Sequence, residues 1–125
     1  MTGKLSQSTD AESLKGTRFE VADNNPMGRA FRHWYDKPGM HKAMEKLKAL
    51  CDEHGISTEE ASLRWIMFHS SLKEGDGVIV GASKPSQIEG CGKMITFGYL
   101  PEDLVTRMNA LWDGCKSDAA AIVQY

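Results

Sequence analysis

Apolar positions recur along this chain at two periods, and the change between them marks out its elements. From Met40, the residues Met40, Ala43, Met44, Leu47, Leu50 and Cys51 fall on one stripe at helical spacing, with Lys42, Glu45, Lys46 and Lys48 opposite. This predicts an amphipathic helix that stops at Gly55. Ser57-Thr-Glu-Glu60 follows at once and has the form of a capping box, so a second helix is expected to start there. That helix carries Ala61, Leu63, Trp65, Ile66, Met67 and Phe68, apolar nearly all the way round. A helix of this kind calls for burial on more than one side.

The period shortens at Val78, Ile79 and Val80, a β-branched run between Gly77 and Gly81 that reads as a short strand covered on both faces. Pro85, a good first helical residue, opens a further helix. Gly90-Cys-Gly92 is expected to interrupt it, and residues 93–98 show no helical stripe. Pro101-Glu-Asp103 starts a last helix with Leu104, Met108, Leu111 and Trp112 on one face, expected to end at Gly114. The apolar tail from Ala119 to Tyr125 is expected to be ordered only if something packs on it. Residues 1–37, rich in Ser, Thr, Asp, Asn and Gly with isolated aromatics, read as a long and partly mobile loop, and 38–125 as the structured part.

Composition narrows the classes of function. The chain has 125 residues, 41% hydrophobic and 26% charged, enough for one globular domain. A net charge of -2 provides no bulk attraction to nucleic acid or to an anionic membrane. No apolar run approaches the roughly 20 residues that span a bilayer, and the polar start Met1-Thr-Gly-Lys-Leu-Ser lacks a signal-peptide core, so the cytoplasm is the expected compartment. Cys51, Cys91 and Cys115 are odd in number and show no CxxC spacing, which favours reduced thiols. The histidines at 33, 41, 54 and 69 show no HxxxH or HExxH spacing, and no metal site is expected.

One segment carries candidate chemistry. Strand, glycine turn and helix start, in the order Gly77 to Glu89, are how a phosphate site is built. Gly81 and Ala82 leave room for a ligand beside the backbone. Ser83 and Lys84 then offer a hydroxyl and an ammonium, and the amides of the helix start face an anion with the positive end of the helix dipole behind them. The same order also describes a purely structural βα loop in any α/β protein.

Gly81-Ala-Ser-Lys-Pro-Ser-Gln-Ile-Glu89 resembles the cofactor segment after the last barrel strand of the aldo-keto reductases, especially the aflatoxin-aldehyde-reductase-like branch and its fungal relatives. Thr2-Gly-Lys4, Gly16-Thr-Arg-Phe19 and Glu60-Ala-Ser-Leu-Arg-Trp-Ile66 resemble three further segments of that family, in order. The resemblance implies an α/β fold, the C-terminal fragment of a (β/α)8 TIM barrel, mostly helical with one clear short parallel-type strand. A whole barrel of this kind needs about 250 residues. It implies NADP(H) as cofactor, held by Ser83, Lys84 and Gln87 around the 2′-phosphate, with Gly81, Ala82 and Glu89 alongside and Lys4 and Arg18 reaching in from the loop. It also implies that Met1 falls after the part of the family that carries the catalytic Asp, Tyr, Lys and His, so no catalytic residue is assigned. No turnover and weak or lost NADPH binding are expected of the chain alone. Where relatives carry asparagine one turn after the glutamine, this chain has Cys91, a poor hydrogen-bonding substitute.

Two other classes of function have a basis in the sequence. Cys51-Asp-Glu-His-Gly-Ile-Ser57 between two helices has the form of a helix-turn-helix elbow. The helix that would enter the groove, however, begins with Glu59 and Glu60, offers Trp65 to Phe68, and holds Arg64 as its one base, which excludes DNA reading. The alternative is a non-catalytic segment that docks on a full-length reductase or another partner through the apolar helix 58–72.

Overall fold

The computed structural model describes residues 9–120 and 122. After a single 3-10 turn at Glu12–Leu14 come five α-helices: α1 Met27–Tyr35, α2 Pro38–Glu53, α3 Thr58–His69, α4 Pro85–Thr96 and α5 Glu102–Ala119. These residues divide into two compact units. One spans Lys48–Asn109, and the other combines the described residues before Lys48 with those after Asn109.

In the Lys48–Asn109 unit, α3 begins where its cap demands. The Ser57 hydroxyl accepts the Glu60 N–H at 3.1 Å, satisfying one of the donors left unpaired at a helix start. The Glu60 carboxylate does not return to the cap; it binds Arg64 one turn later at 2.6 Å. Arg64, only 7% exposed, also reaches the carbonyls of Gly98 at 2.8 Å and Tyr99 at 2.6 Å, so a buried cation collects the backbone oxygens beyond α4. The buried apolar residues of this unit include Leu50, Cys51, Ala61, Leu63, Leu100 and Leu104. Trp65 keeps its indole N–H satisfied by the Asn109 side chain at 2.9 Å.

The other unit buries Leu14, Leu47, Cys115 and Ala119. Helix α1 lies where the sequence pattern indicated a loop. Nine residues are too few to hold a helix in water on their own. Tertiary packing supplies the difference: Phe19 meets Phe31 and Tyr35 edge to face, each at 6.4 Å between centroids, while Trp34 meets Phe31 within the helix at 5.8 Å. Gly28 in the first turn of α1 allows this approach, since a Cβ there would lie 1.9 Å from the Glu20 carbonyl oxygen. Helices α1 and α2 meet at Asp36, which accepts from Arg32 at 3.4 Å and pairs with the buried His41 at 2.8 Å.

The expected short parallel-type strand is corrected by the structure. No strand occurs among the described residues; the one β feature is an isolated bridge between Ala22 and Asn25. Residues 78–80 are irregular, and Ile79 is fully exposed at 100%. A strand satisfies its backbone only through a ladder with a neighbouring strand. Val78, Ile79 and Val80 have the propensity, but none of the described residues supplies the ladder.

Two helix ends also differ from the pattern. Helix α4 runs unbroken through Gly90 and Gly92 to Thr96. Each glycine costs a helix about 1 kcal/mol, but α4 packs along α3 and is secured at both ends, by Gln87 at its start and by Arg64 on the carbonyls beyond its finish. Helix α5 continues past Gly114 to Ala119, where Cys115 and Ala119 are buried. Tertiary burial overrides a weak local stop. No described helix is long and apolar enough to cross a membrane.

Candidate functional site

Helix α4 positions the candidate residues by starting abruptly at Pro85, whose ring fixes a helical φ and whose missing N–H would have been unpaired in any case. Ahead of it, Gly81, Ala82, Ser83 and Lys84 are all exposed. The Gln87 side chain folds back over this start. Its amide oxygen accepts from the Ser83 N–H at 2.8 Å, the Ser83 hydroxyl at 3.2 Å and the Lys84 N–H at 3.1 Å. The Gln87 N–H in turn donates to the Lys84 carbonyl at 3.1 Å.

One oxygen thus gathers three donors at the positive end of a twelve-residue helix. The arrangement has the donor chemistry of an oxyanion or phosphate site, with a neutral amide oxygen occupying the place of the anion. The Lys84 side chain is exposed, and among the described residues it forms no ion pair. An incoming anion would have to displace the Gln87 oxygen, whose amide group would then be free to turn and donate its own N–H.

The remaining residues singled out in the sequence are placed differently. Glu89 is exposed on α4 and takes no part in the cluster. Cys91 follows Gln87 by one turn, half-buried and unoxidised. Arg18 belongs to the other unit, where its guanidinium lies 5.7 Å from the centroid of the Phe31 ring, a cation-π contact. Lys4 lies outside the described residues.

Acid–base chemistry is sparse. Tyr99, 71% exposed, packs on Phe68 at 5.1 Å and edge-on to His69 at 5.5 Å, but the His69 Nε2 lone pair already accepts the Leu100 N–H at 3.0 Å. Among the described residues no group of three or more His, Cys, Asp or Glu is placed to hold a metal ion. Arg64, read from the sequence only as an isolated base, organises the end of α4, and its spacing of four from Glu60 was the visible sign. The folding back of Gln87 was also legible in principle, because glutamine at the third helical position is the reciprocal half of a capping box.

Comparison with known proteins decides the family. Residues 1–113 match the Aldo/keto reductase family over most of the chain. The chain belongs to the aldo/keto reductase family. Among curated relatives, it is 35% identical over 107 residues to an aldo-keto reductase of Pseudocercospora fijiensis, covering 84% of this chain and 35% of that protein. It is 36% identical over 96 residues to an oxidoreductase of Leptosphaeria maculans, covering 75% of this chain and 29% of the relative. The chain therefore spans about a third of the length of these relatives. No solved structure matches it. For an aldo/keto reductase, a donor cluster at a helix start is a cofactor site to test. The donor set around Ser83, a hydroxyl and two N–H groups on exposed residues with the Lys84 ammonium beside them and no carboxylate among them, is of the kind an anionic oxygen could take up once the Gln87 oxygen moves away.

Proposed function

We propose that this chain is the cofactor-gripping portion of an NADP(H)-dependent carbonyl reductase, with the start of α4 as the seat of the 2′-phosphate. The observation that supports this most is the convergence of the Ser83 N–H, the Ser83 hydroxyl and the Lys84 N–H on one point at that helix start. When bound, NADPH supplies the hydride for reduction of an aldehyde or ketone. The residues of this chain do the holding. Ser83 donates from hydroxyl and backbone, Lys84 contributes its charge, Gly81 and Ala82 leave the approach clear, and Gln87 gives up its cap to donate from its amide. The proton donor and its partners are assigned to the part of a full-length reductase beyond the third that this chain spans. Taken alone, the chain is expected to bind NADPH weakly and to reduce no carbonyl compound.

Calorimetric titration with NADPH, with NADH as the control ligand and circular dichroism to verify folding, tests this reading. Saturable binding that prefers NADPH and is lost in Ser83→Ala with Gln87→Ala is the expected result. A folded chain that binds neither ligand, or both equally, overturns it.

A second reading, a non-catalytic segment docking through apolar surface, draws on one observation: within the Lys48–Asn109 unit Ile79 is 100% exposed, Ile88 50% and Ile66 38%. Concentration-dependent mass by light scattering tests it, and a chain that stays monomeric when mixed with a full-length reductase removes it.

A further inference from the structure

His54 follows the last residue of α2 and has both ring nitrogens facing oxygen acceptors. Nδ1 lies 2.8 Å from the Leu50 carbonyl in the final turn of α2, and Nε2 lies 2.9 Å from Oδ2 of Asp103 in the first turn of α5. A neutral imidazole carries one N–H and one lone pair, so it can satisfy one of these acceptors and must turn a lone pair toward the other. An imidazolium donates to both. The charge also suits both helix ends, a cation against the carbonyls closing α2 and a carboxylate in the opening turn of α5.

The surrounding charges are few and all lie in the same unit. From α5, Asp103 bonds the imidazole and Arg107 acts on it through its charge; from α2, Glu53 is coupled to it by charge and is bound to Arg107 by two hydrogen bonds of 2.5 and 3.2 Å. Asp52 is turned to Lys48 at 2.6 Å. Arg107 opposes protonation of His54, but its guanidinium is already neutralised by Glu53. The Glu53–Arg107 pair stays ionised throughout the range in which a histidine titrates. Two ties therefore join the end of α2 to the start of α5, and one of them depends on a proton near neutral pH.

We propose that His54 is a proton-operated clasp between the end of α2 and the first turn of α5. Charged, it ties Leu50 to Asp103; neutral with its N–H on the Leu50 carbonyl, it turns a lone pair toward Asp103, and Glu53–Arg107 is the polar tie left between the end of α2 and the start of α5. The Leu50 carbonyl first, and the Asp103 carboxylate next, hold the imidazole proton and raise its pKa above the ordinary histidine value, against a smaller opposing effect of burial. With the folded pKa raised, the clasp is complete below the pKa of an unfolded histidine, about 6.5. It fades as pH rises through the higher folded value.

Nuclear magnetic resonance on the full chain tests this. The His54 ring nitrogens are titrated between pH 5.5 and 9, and hydrogen exchange of amides 104–107, corrected for intrinsic rates, is followed over the same range. The expected result is a His54 midpoint above that of an unstructured histidine, with protection of these amides falling severalfold through that midpoint. In Asp103→Asn the midpoint should drop and the pH dependence of protection should flatten. In Glu53→Gln protection should drop at every pH with the His54 titration still governing the remainder. A His54 midpoint at or below the unstructured value, or protection that does not follow it, overturns the proposal. The Glu53→Gln arm separates loss of the clasp from general loosening of α5.

Discussion

Asp118 in the last turn of α5 caps the start of α2. Its Oδ2 accepts the Gly39 N–H at 2.7 Å, across 79 positions of sequence. Gly39 is the second residue of α2, after Pro38, so this amide has no partner within its own helix. The carboxylate also sits at the positive end of the α2 dipole. The approach is close: a Cβ on Gly39 would lie 2.6 Å from that same oxygen and 2.9 Å from the Gly114 carbonyl. Asp118→Ala is expected to cost about 1 kcal/mol, the scale of a lost N-cap. Gly39→Ala should cost more, about 1 to 3 kcal/mol, since backbone as well as side chain must shift. Urea unfolding of the two variants checks the order, and an unchanged midpoint in Gly39→Ala would show that the approach is not needed.

Arg64 is expected to be the most sensitive polar position in the Lys48–Asn109 unit. Its guanidinium serves Glu60, Gly98 and Tyr99 from a site only 7% exposed. Arg64→Met removes the buried cation that Glu60 and the Gly98 and Tyr99 carbonyls share, a loss of about 3 kcal/mol. Arg64→Lys should recover little, because one ammonium cannot reproduce the planar fork. Chemical denaturation followed by tryptophan fluorescence reads both.

At the start of α3, Ser57→Ala leaves the Glu60 N–H without its acceptor and should lower stability by about 1 kcal/mol. Ser57→Asp should preserve it, since a carboxylate accepts the same bond and favours the helix dipole. Thermal melts of the two variants distinguish cap from side-chain volume.

Acid should loosen the junction of α1 and α2 before other parts of its unit. His41 first, and Arg32 after it, hold the Asp36 carboxyl below the ordinary carboxylate range. A depressed folded pKa stabilises above the unfolded value, about 3.9 for aspartate, and that contribution is lost as pH falls through the folded value. Near-ultraviolet circular dichroism of the Phe31–Trp34 cluster should therefore report a transition below pH 4; in Asp36→Asn, which has no carboxyl to titrate, that transition should be absent and the loosened signal present already at neutral pH.

The three thiols should react in a fixed order. Burial, and after it the carboxylates of Asp52, Glu59 and Glu60, push the Cys51 thiol up; burial followed by Asp118 does the same to Cys115. Both are buried, whereas Cys91 is partly accessible on α4. A disulfide reagent at pH 8 should modify Cys91 first and the other two only on unfolding. Mass spectrometry of partly modified protein checks the order, and rapid labelling of Cys51 in folded protein would contradict it.

Residues that interact with their own near neighbours could be read directly from the sequence. The stripe from Met40 to Cys51 became α2, Ser57 became the cap of α3, and Pro101 preceded α5, because periodicity, capping and a fixed φ act within one or two turns. Family likeness was legible for the same reason, in short runs such as Gly81 to Glu89. The rest depended on partners distant along the chain. Helix α1 forms because Phe19 meets Phe31 and Tyr35, and α5 continues past Gly114 where Cys115 and Ala119 are buried. Val78 to Val80 carry strand propensity without a ladder among the described residues, so the tendency is not realised. Burial and strand pairing are set by which residues share space, and only the tertiary structure decides that.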